Sequence, residues 1–329
     1  MFFLRLIITF ITIFALMLES IFSELGVGIE TPIDFISEIF DESGSYSDIY
    51  GSLDDDFVGD SWAFEYGFEH GTADTPEGKT IVISIFASEP TYKWDFESAE
   101  DREKIANINK YLGIAGDYIE GVASDYGKEA EFVTDFVENP DLMYETKFKT
   151  SLANTDFVDE PAWEYIDSKV SSEHLKEKYN ADNIIYFIMI NSDKNSEAVT
   201  CTRNWYTGMR YPYEVVYLYN VDYGETNPPA VYAHEMLHTF GAPDLYQSSK
   251  DYAIDKDFVS FIEENYPNEI MLTCSDYETG YYDYDKVTNE VTDLTAYYIG
   301  LIDYCDIVDE YNLAYSEHDE KFYNNEYGW

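Results

Sequence analysis

The chain has little positive charge. Its 329 residues include 19 Lys and Arg against 66 Asp and Glu, a formal net charge of −47. Nucleic-acid backbones are held by clustered basic side chains, so nucleic acid is excluded as a partner class. The acidic excess reads first as a solvated, solubilising surface. A sharper reading is a preference for basic peptides or for calcium, but no D-x-[DN]-x-[DN]-G loop is evident. Cysteine is scarce as well: Cys201, Cys274 and Cys305 make no disulfide framework. One bridge with a thiol left over and three free thiols both stay open, so the redox compartment is not set. Histidine is rarer than its usual share, five in all, and the N-terminal apolar run from Leu6 to Leu18 is only about 13 residues. A bilayer-spanning helix needs about 20.

That short run follows a single basic residue, Arg5, and gives way to acidic residues at Glu19. The pattern is that of a secretory signal. Residues 1–22 are therefore expected to be a signal peptide, which places the protein outside the cell. The alternative is an uncleaved N-terminal anchor holding an extracytoplasmic domain at a membrane. Residues 23–76, with Asp54-Asp55-Asp56 and many Gly and Ser, read as an acidic spacer or pro-segment. Within them Trp62, Phe64, Tyr66 and Phe68 alternate like a strand.

Residues 77–329 form the expected folded domain. Thr80–Ala87 is a β-branched apolar run, a buried strand. From Ser98 to Tyr126, Ile105, Ile108, Leu112, Ala115, Ile119 and Val122 recur at alternating three and four spacing, which is one face of a long helix. Gly127 is a natural stop for it. Phe132–Phe136 reads as a second strand, a helix is expected around Trp163–Tyr179, and Asn183–Ile190 is the strongest strand pattern. Val199–Trp205 and Tyr213–Tyr219 follow as strands. This order predicts an α+β fold, a mixed sheet backed by helices.

Residues 234–246 read H-E-M-L-H-T-F-G-A-P-D-L-Y. On a helix, positions i and i+4 share a face, so His234 and His238 can point ring nitrogens at one metal. Glu235, next to the first histidine, is placed to hold an attacking water without ligating. Asn227 suits an N-cap, Pro228 the first helical position, and Gly241 the end of the helix. The turn after Gly241 returns Asp244 toward the histidines as a third, carboxylate ligand. A fourth position is left for water, the arrangement of a catalytic zinc site. His70, His174 and His318 lack such a context and read as structural or solvent-exposed.

From His234 to Tyr246 the chain resembles the metzincin pattern H-E-x-x-H-x-x-G-x-x-H/D. The aspartate form with a Pro-Asp-Leu-Tyr ending is similar to that of secreted bacterial metallopeptidases related to immune inhibitor A and snapalysin. The resemblance implies a zinc endopeptidase acting on peptides or proteins, with Zn²⁺ on His234, His238 and Asp244 and with Glu235 as general base. It also implies a methionine turn, for which Met271 in Glu269–Thr273 is the candidate, supporting the ligands without binding zinc. The implied fold is a twisted mixed sheet with a long backing helix, an active-site helix and a small C-terminal subdomain with the methionine turn and a helix, here Thr292–Tyr304. Some metzincins carry a tyrosine two residues beyond that methionine; this chain has Thr273. Tyr246, Tyr277, Tyr281, Tyr282 and Tyr284 are nearby, and none is assigned. A gluzincin-like scheme would take Glu263 or Glu264 as third ligand instead. A zinc-binding surface protein without activity, and an acidic surface protein with a chance motif, are the non-enzymatic alternatives.

Overall fold

The computed structural model describes residues 72–149, 152, 159–192, 200–202, 214–222 and 224–324. Residues 1–71, with the expected leader, most of the expected acidic spacer, the 62–68 alternation and His70, lie outside the described residues. Among the described residues no helix is long and apolar enough to cross a membrane.

The architecture is mixed α/β, with a largely parallel sheet. In chain order its strands are β1 (Gly78–Ser88), β2 (Ala130–Val133), β3 (Met143–Lys147), β4 (Asn183–Ile190), β5 (Thr200–Thr202) and β6 (Val215–Tyr219). β1 and β4 are continuous apolar runs, the signature of strands covered on both faces, and β4 is buried along its whole length. They pair in parallel from Thr80 opposite Asn183 to Ala87 opposite Ile190. β6 continues the parallel ladder beyond β4, and β5 closes that edge antiparallel. On the other edge of β1, β2 pairs with residues 78–81 and β3 with residues 84–88. β3 lies in a stretch where the sequence predicted no strand. Its residues Met-Tyr-Glu-Thr-Lys are half-buried or exposed, so they carry no apolar alternation to read.

Helix α1 (Ala99–Asp125) backs the sheet. Ser98 caps it by accepting from the amide of Asp101, and Gly127 ends it. The Gly127 and Lys128 amides turn back to the carbonyls of Ser124 and Ala123, a Schellman closure. The predicted helix around Trp163–Tyr179 is two helices, α2 (Asp159–Lys169) and α3 (Ser172–Tyr179). After β6 comes a small hairpin of β7 (Val221–Asp222) and β8 (Glu225–Thr226), then α4 (Pro229–Thr239), which carries the motif. α5 (Lys256–Asn265), α6 (Asp293–Tyr298), α7 (Asp306–Tyr311) and α8 (Glu320–Asn324) complete the chain. The predicted helix Thr292–Tyr304 is therefore shorter, because Gly300 turns the chain at φ +76°.

α4 packs against α1, β5 and β6. Its residues Tyr232, Ala233, Met236, Leu237 and Thr239 are fully buried. Tyr232 stacks on Phe187 of β4, ring centroids 6.1 Å apart. The motif helix is thus a core element, so its side chains have little freedom to move.

Candidate metal centre

α4 begins one residue later than the sequence predicted. Pro228 is the N-cap and Pro229 the first helical residue. Asn227 is not a cap because its side-chain amide is spent on the carbonyl of Tyr219 at the end of β6. That bond ties the start of the motif helix to the sheet. At the other end the amides of Gly241 and Ala242 return to the carbonyls of His238 and Leu237, at 3.0 and 3.1 Å. Gly241 adopts φ +113°, and a Cβ there would stand 2.6 Å from the carbonyl oxygen of Tyr298. Only glycine fits both demands.

This turn brings Asp244 back over the helix. Its Oδ1 lies 3.3 Å from Nε2 of His234 and 3.2 Å from Nε2 of His238. The three ligand atoms form one cluster with all separations within 4.8 Å, two of the residues buried and the third half-buried. Asp244 Oδ2 is occupied by Gln247, which donates from 2.9 Å. Oδ1 has no hydrogen-bond partner.

The outer nitrogen of each histidine is fixed by a backbone carbonyl. His234 Nδ1 lies 2.9 Å from the oxygen of Ile270, and His238 Nδ1 lies 2.7 Å from that of Ala242. A carbonyl only accepts, so each Nδ1 carries the proton and each Nε2 presents a lone pair. Two imidazole nitrogens and a carboxylate oxygen then face one another at hydrogen-bond distance, a gap that a ring proton or a metal ion fills. Such a donor set is satisfied by a metal ion, and these residues fit one.

Charge in the site tells the same story. Burial opposes ionisation of His234, but Cys274, Asp244 and Glu235 around it outweigh that and hold the ring well above its usual pKa. Burial likewise disfavours the Asp244 carboxylate, yet His238 and His234 hold its pKa far below the ordinary range. Both shifts record a pocket that wants positive charge between these side chains. Glu235 is 5 % exposed, and burial raises its pKa despite the two histidines. Its Oε1 is 4.0 Å from His234 Nε2, and its Oε2 has no partner. It stands beside the cluster rather than in it.

A comparison with protein-family models finds none that matches this chain, and a comparison with curated proteins finds no match either. The site therefore rests on its own geometry.

Met271 is fully buried. Its carbonyl accepts from the amide of Leu245 at 2.9 Å, and the preceding carbonyl, that of Ile270, orients His234. The 269–272 turn thus touches both a candidate ligand, His234, and the neighbour of another, Asp244. Sequence reasoning missed its anchor, Glu269. That carboxylate is 1 % exposed and accepts from the Met271 amide, the Thr292 amide and the Thr295 hydroxyl. It joins the 269–272 turn to the first turn of α6. No sequence signal marks it, since one Glu among 66 acidic residues is invisible without the fold.

Of the tyrosines weighed, Tyr246 stacks on His234 with centroids 6.4 Å apart. Its hydroxyl is pushed up to about 12 by burial and by the negative charge of Asp244. Tyr284 is structural: it packs on Tyr111 and donates to the Thr226 carbonyl. Tyr277, Tyr281 and Tyr282 are exposed. Glu263 and Glu264 are exposed on α5 and stand outside the metal cluster. His174 is exposed. His318 is structural, with its Nε2 3.0 Å from the Phe240 carbonyl just beyond α4.

Proposed function

We propose that the chain is a zinc-dependent endopeptidase of the metzincin-like kind, acting outside the cell on peptides or proteins. The observation that carries this reading is the meeting of His234, His238 and Asp244 beside a buried Glu235 carboxylate whose Oε2 has no hydrogen-bond partner. A structural site has no use for that carboxylate, whereas hydrolysis requires a base there.

The spacing favours zinc among divalent ions. A tetrahedral zinc polyhedron with bonds of about 2.0–2.1 Å has edges of about 3.3–3.4 Å. The two His–Asp separations, 3.3 and 3.2 Å, are of that size. Imidazole and carboxylate are ordinary zinc donors, while magnesium and calcium prefer oxygen alone. When bound, zinc supplies Lewis acidity, polarising the scissile carbonyl and acidifying the attacking water.

The remaining roles belong to the chain. His234, His238 and Asp244 hold the ion. Glu235 takes a proton from the water and delivers it to the leaving amine, a task suited to a carboxylate whose pKa is raised by burial. Tyr246, beside Asp244 and half-exposed, is placed to donate a hydrogen bond to the substrate carbonyl as charge builds on its oxygen. The Met271 turn keeps the His234 ring in register.

The test is metal analysis of the purified chain together with digestion of a peptide library, with and without chelator. One zinc per chain and chelator-sensitive cleavage are expected. Zinc without cleavage would leave a binding protein, and no bound zinc would remove the centre altogether.

A further inference from the structure

The stretch 240–244, which returns Asp244 to the histidines, is held by two segments far from it in sequence. His318 joins them. Its Nε2 lies 3.0 Å from the carbonyl oxygen of Phe240, and its Nδ1 lies 3.4 Å from Oδ1 of Asp74. A carbonyl and a carboxylate only accept, so the ring donates from both nitrogens. The ring also lines two glycine turns. A Cβ on Gly300 would stand 3.0 Å from His318 Cγ, and one on Gly241 would stand 3.6 Å from His318 Nε2.

Both sides of this bridge are anchored. On one side, the Ser316 amide donates to the Tyr297 hydroxyl and the Ser316 hydroxyl to the Tyr298 carbonyl, each at 3.2 Å. That carbonyl is the one that closes on Gly241. On the other side, Asn183 at the start of β4 accepts from the Asp74 amide at 2.9 Å and donates to the Thr75 carbonyl at 2.8 Å. Thr72 and Ala73 are 3 % and 0 % exposed. Residues 72–77 are therefore built into the folded unit, although the sequence places most of them in the spacer. A chain of contacts runs from Asp74 through His318 to Phe240, next to the glycine that aims Asp244.

We propose that His318 is a positioning residue for the metal centre. By donating to the Phe240 carbonyl it fixes the Gly241 turn, and with it the place of Asp244 beside His234 and His238. Asp74 holds the ring in that orientation, which makes the 72–77 segment part of the metal-holding unit. This rests on the reading of His234, His238 and Asp244 as a zinc centre.

The test is zinc affinity of the full chain, titrated against a chromophoric chelator under conditions where each variant is folded. His318→Ala should weaken zinc binding about 10-fold, the lower end of what loss of an orienting partner does. His318→Gln can still donate to the Phe240 carbonyl and should recover most of that loss. Leu175→Ala opens a cavity on α3 and serves as a stability control; it should leave zinc affinity unchanged. Asp74 is 59 % exposed, so Asp74→Asn leaves the core intact and should weaken zinc binding less than His318→Ala does. Parental affinity in both His318→Ala and Asp74→Asn would overturn the positioning role and leave the centre standing. So would a loss in Leu175→Ala equal to that in His318→Ala, or a His318→Gln chain no better than His318→Ala. A parent chain that binds no zinc would overturn the centre as well.

Discussion

The carbonyl oxygen of Ile270 lies 2.9 Å from Nδ1 of His234. A residue of the 269–272 turn therefore sets the tautomer of a candidate metal ligand on α4, more than thirty positions earlier in the chain. Met271, next along, is fully buried and holds Leu245 through its carbonyl. Met271→Leu, nearly equal in volume, should cost under about 1.5 kcal/mol and leave zinc affinity almost unchanged. Met271→Ala should cost about 2–5 kcal/mol and weaken zinc binding by about 10- to 100-fold, as loss of an orienting partner does. Denaturant unfolding and competitive zinc titration check the pair. Equal affinities for both variants would remove the turn from the centre.

Gly241 carries the return of Asp244. Gly241→Ala forces a positive φ on alanine and drives its Cβ against the Tyr298 carbonyl. Backbone strain of this kind costs about 1–3 kcal/mol. The relief is expected to move residues 241–244, so zinc affinity should fall along with stability. A variant that loses stability but binds zinc as tightly as the parent would separate Asp244 from the turn.

The meeting of His234, His238 and Asp244 was legible because their spacing is local. His234, Glu235 and His238 sit within one and a half helical turns, and the glycine that ends the helix fixes the reach of Asp244. β4 and α1 were legible for a similar reason, one as an unbroken apolar run, the other by its single apolar face. What stayed hidden depends on distant pairing. β3 is a polar edge strand whose partner, β1, is some sixty residues earlier. Asn227 has the chemistry of an N-cap, but the Tyr219 carbonyl outcompetes the helix for its amide. Glu269 acts through the Met271 and Thr292 amides and the Thr295 hydroxyl, which only the folded chain brings to it.

His318 gives a pH dependence away from the metal. Burial works against its charged form, but Asp74, Glu317 and the Phe240 carbonyl outweigh that and raise its pKa above the usual value. A raised histidine contributes stability that is full below its unfolded pKa, about 6.5, and is lost as pH rises through the folded value. Unfolding free energy of the parent, less that of His318→Gln, should therefore shrink from pH 6 upward. A difference that stays flat to pH 9 would contradict the charged contact with Asp74.

Asp244 as an anionic ligand leaves the ion less electron-poor than a third histidine would. Asp244→His should move the acidic limb of the kcat/KM profile to lower pH, since the attacking water then ionises more readily. An unchanged limb would mean that Asp244 does not bind the metal during turnover.

The central claim is that Glu235 is the base of a zinc peptidase. The direct measurement is peptide cleavage by the parent and by Glu235→Gln, each shown to hold one zinc. The account predicts equal zinc content and a loss of kcat of about 100- to 10,000-fold in the variant. A zinc-loaded Glu235→Gln chain that cleaves peptide at the parental rate would contradict it.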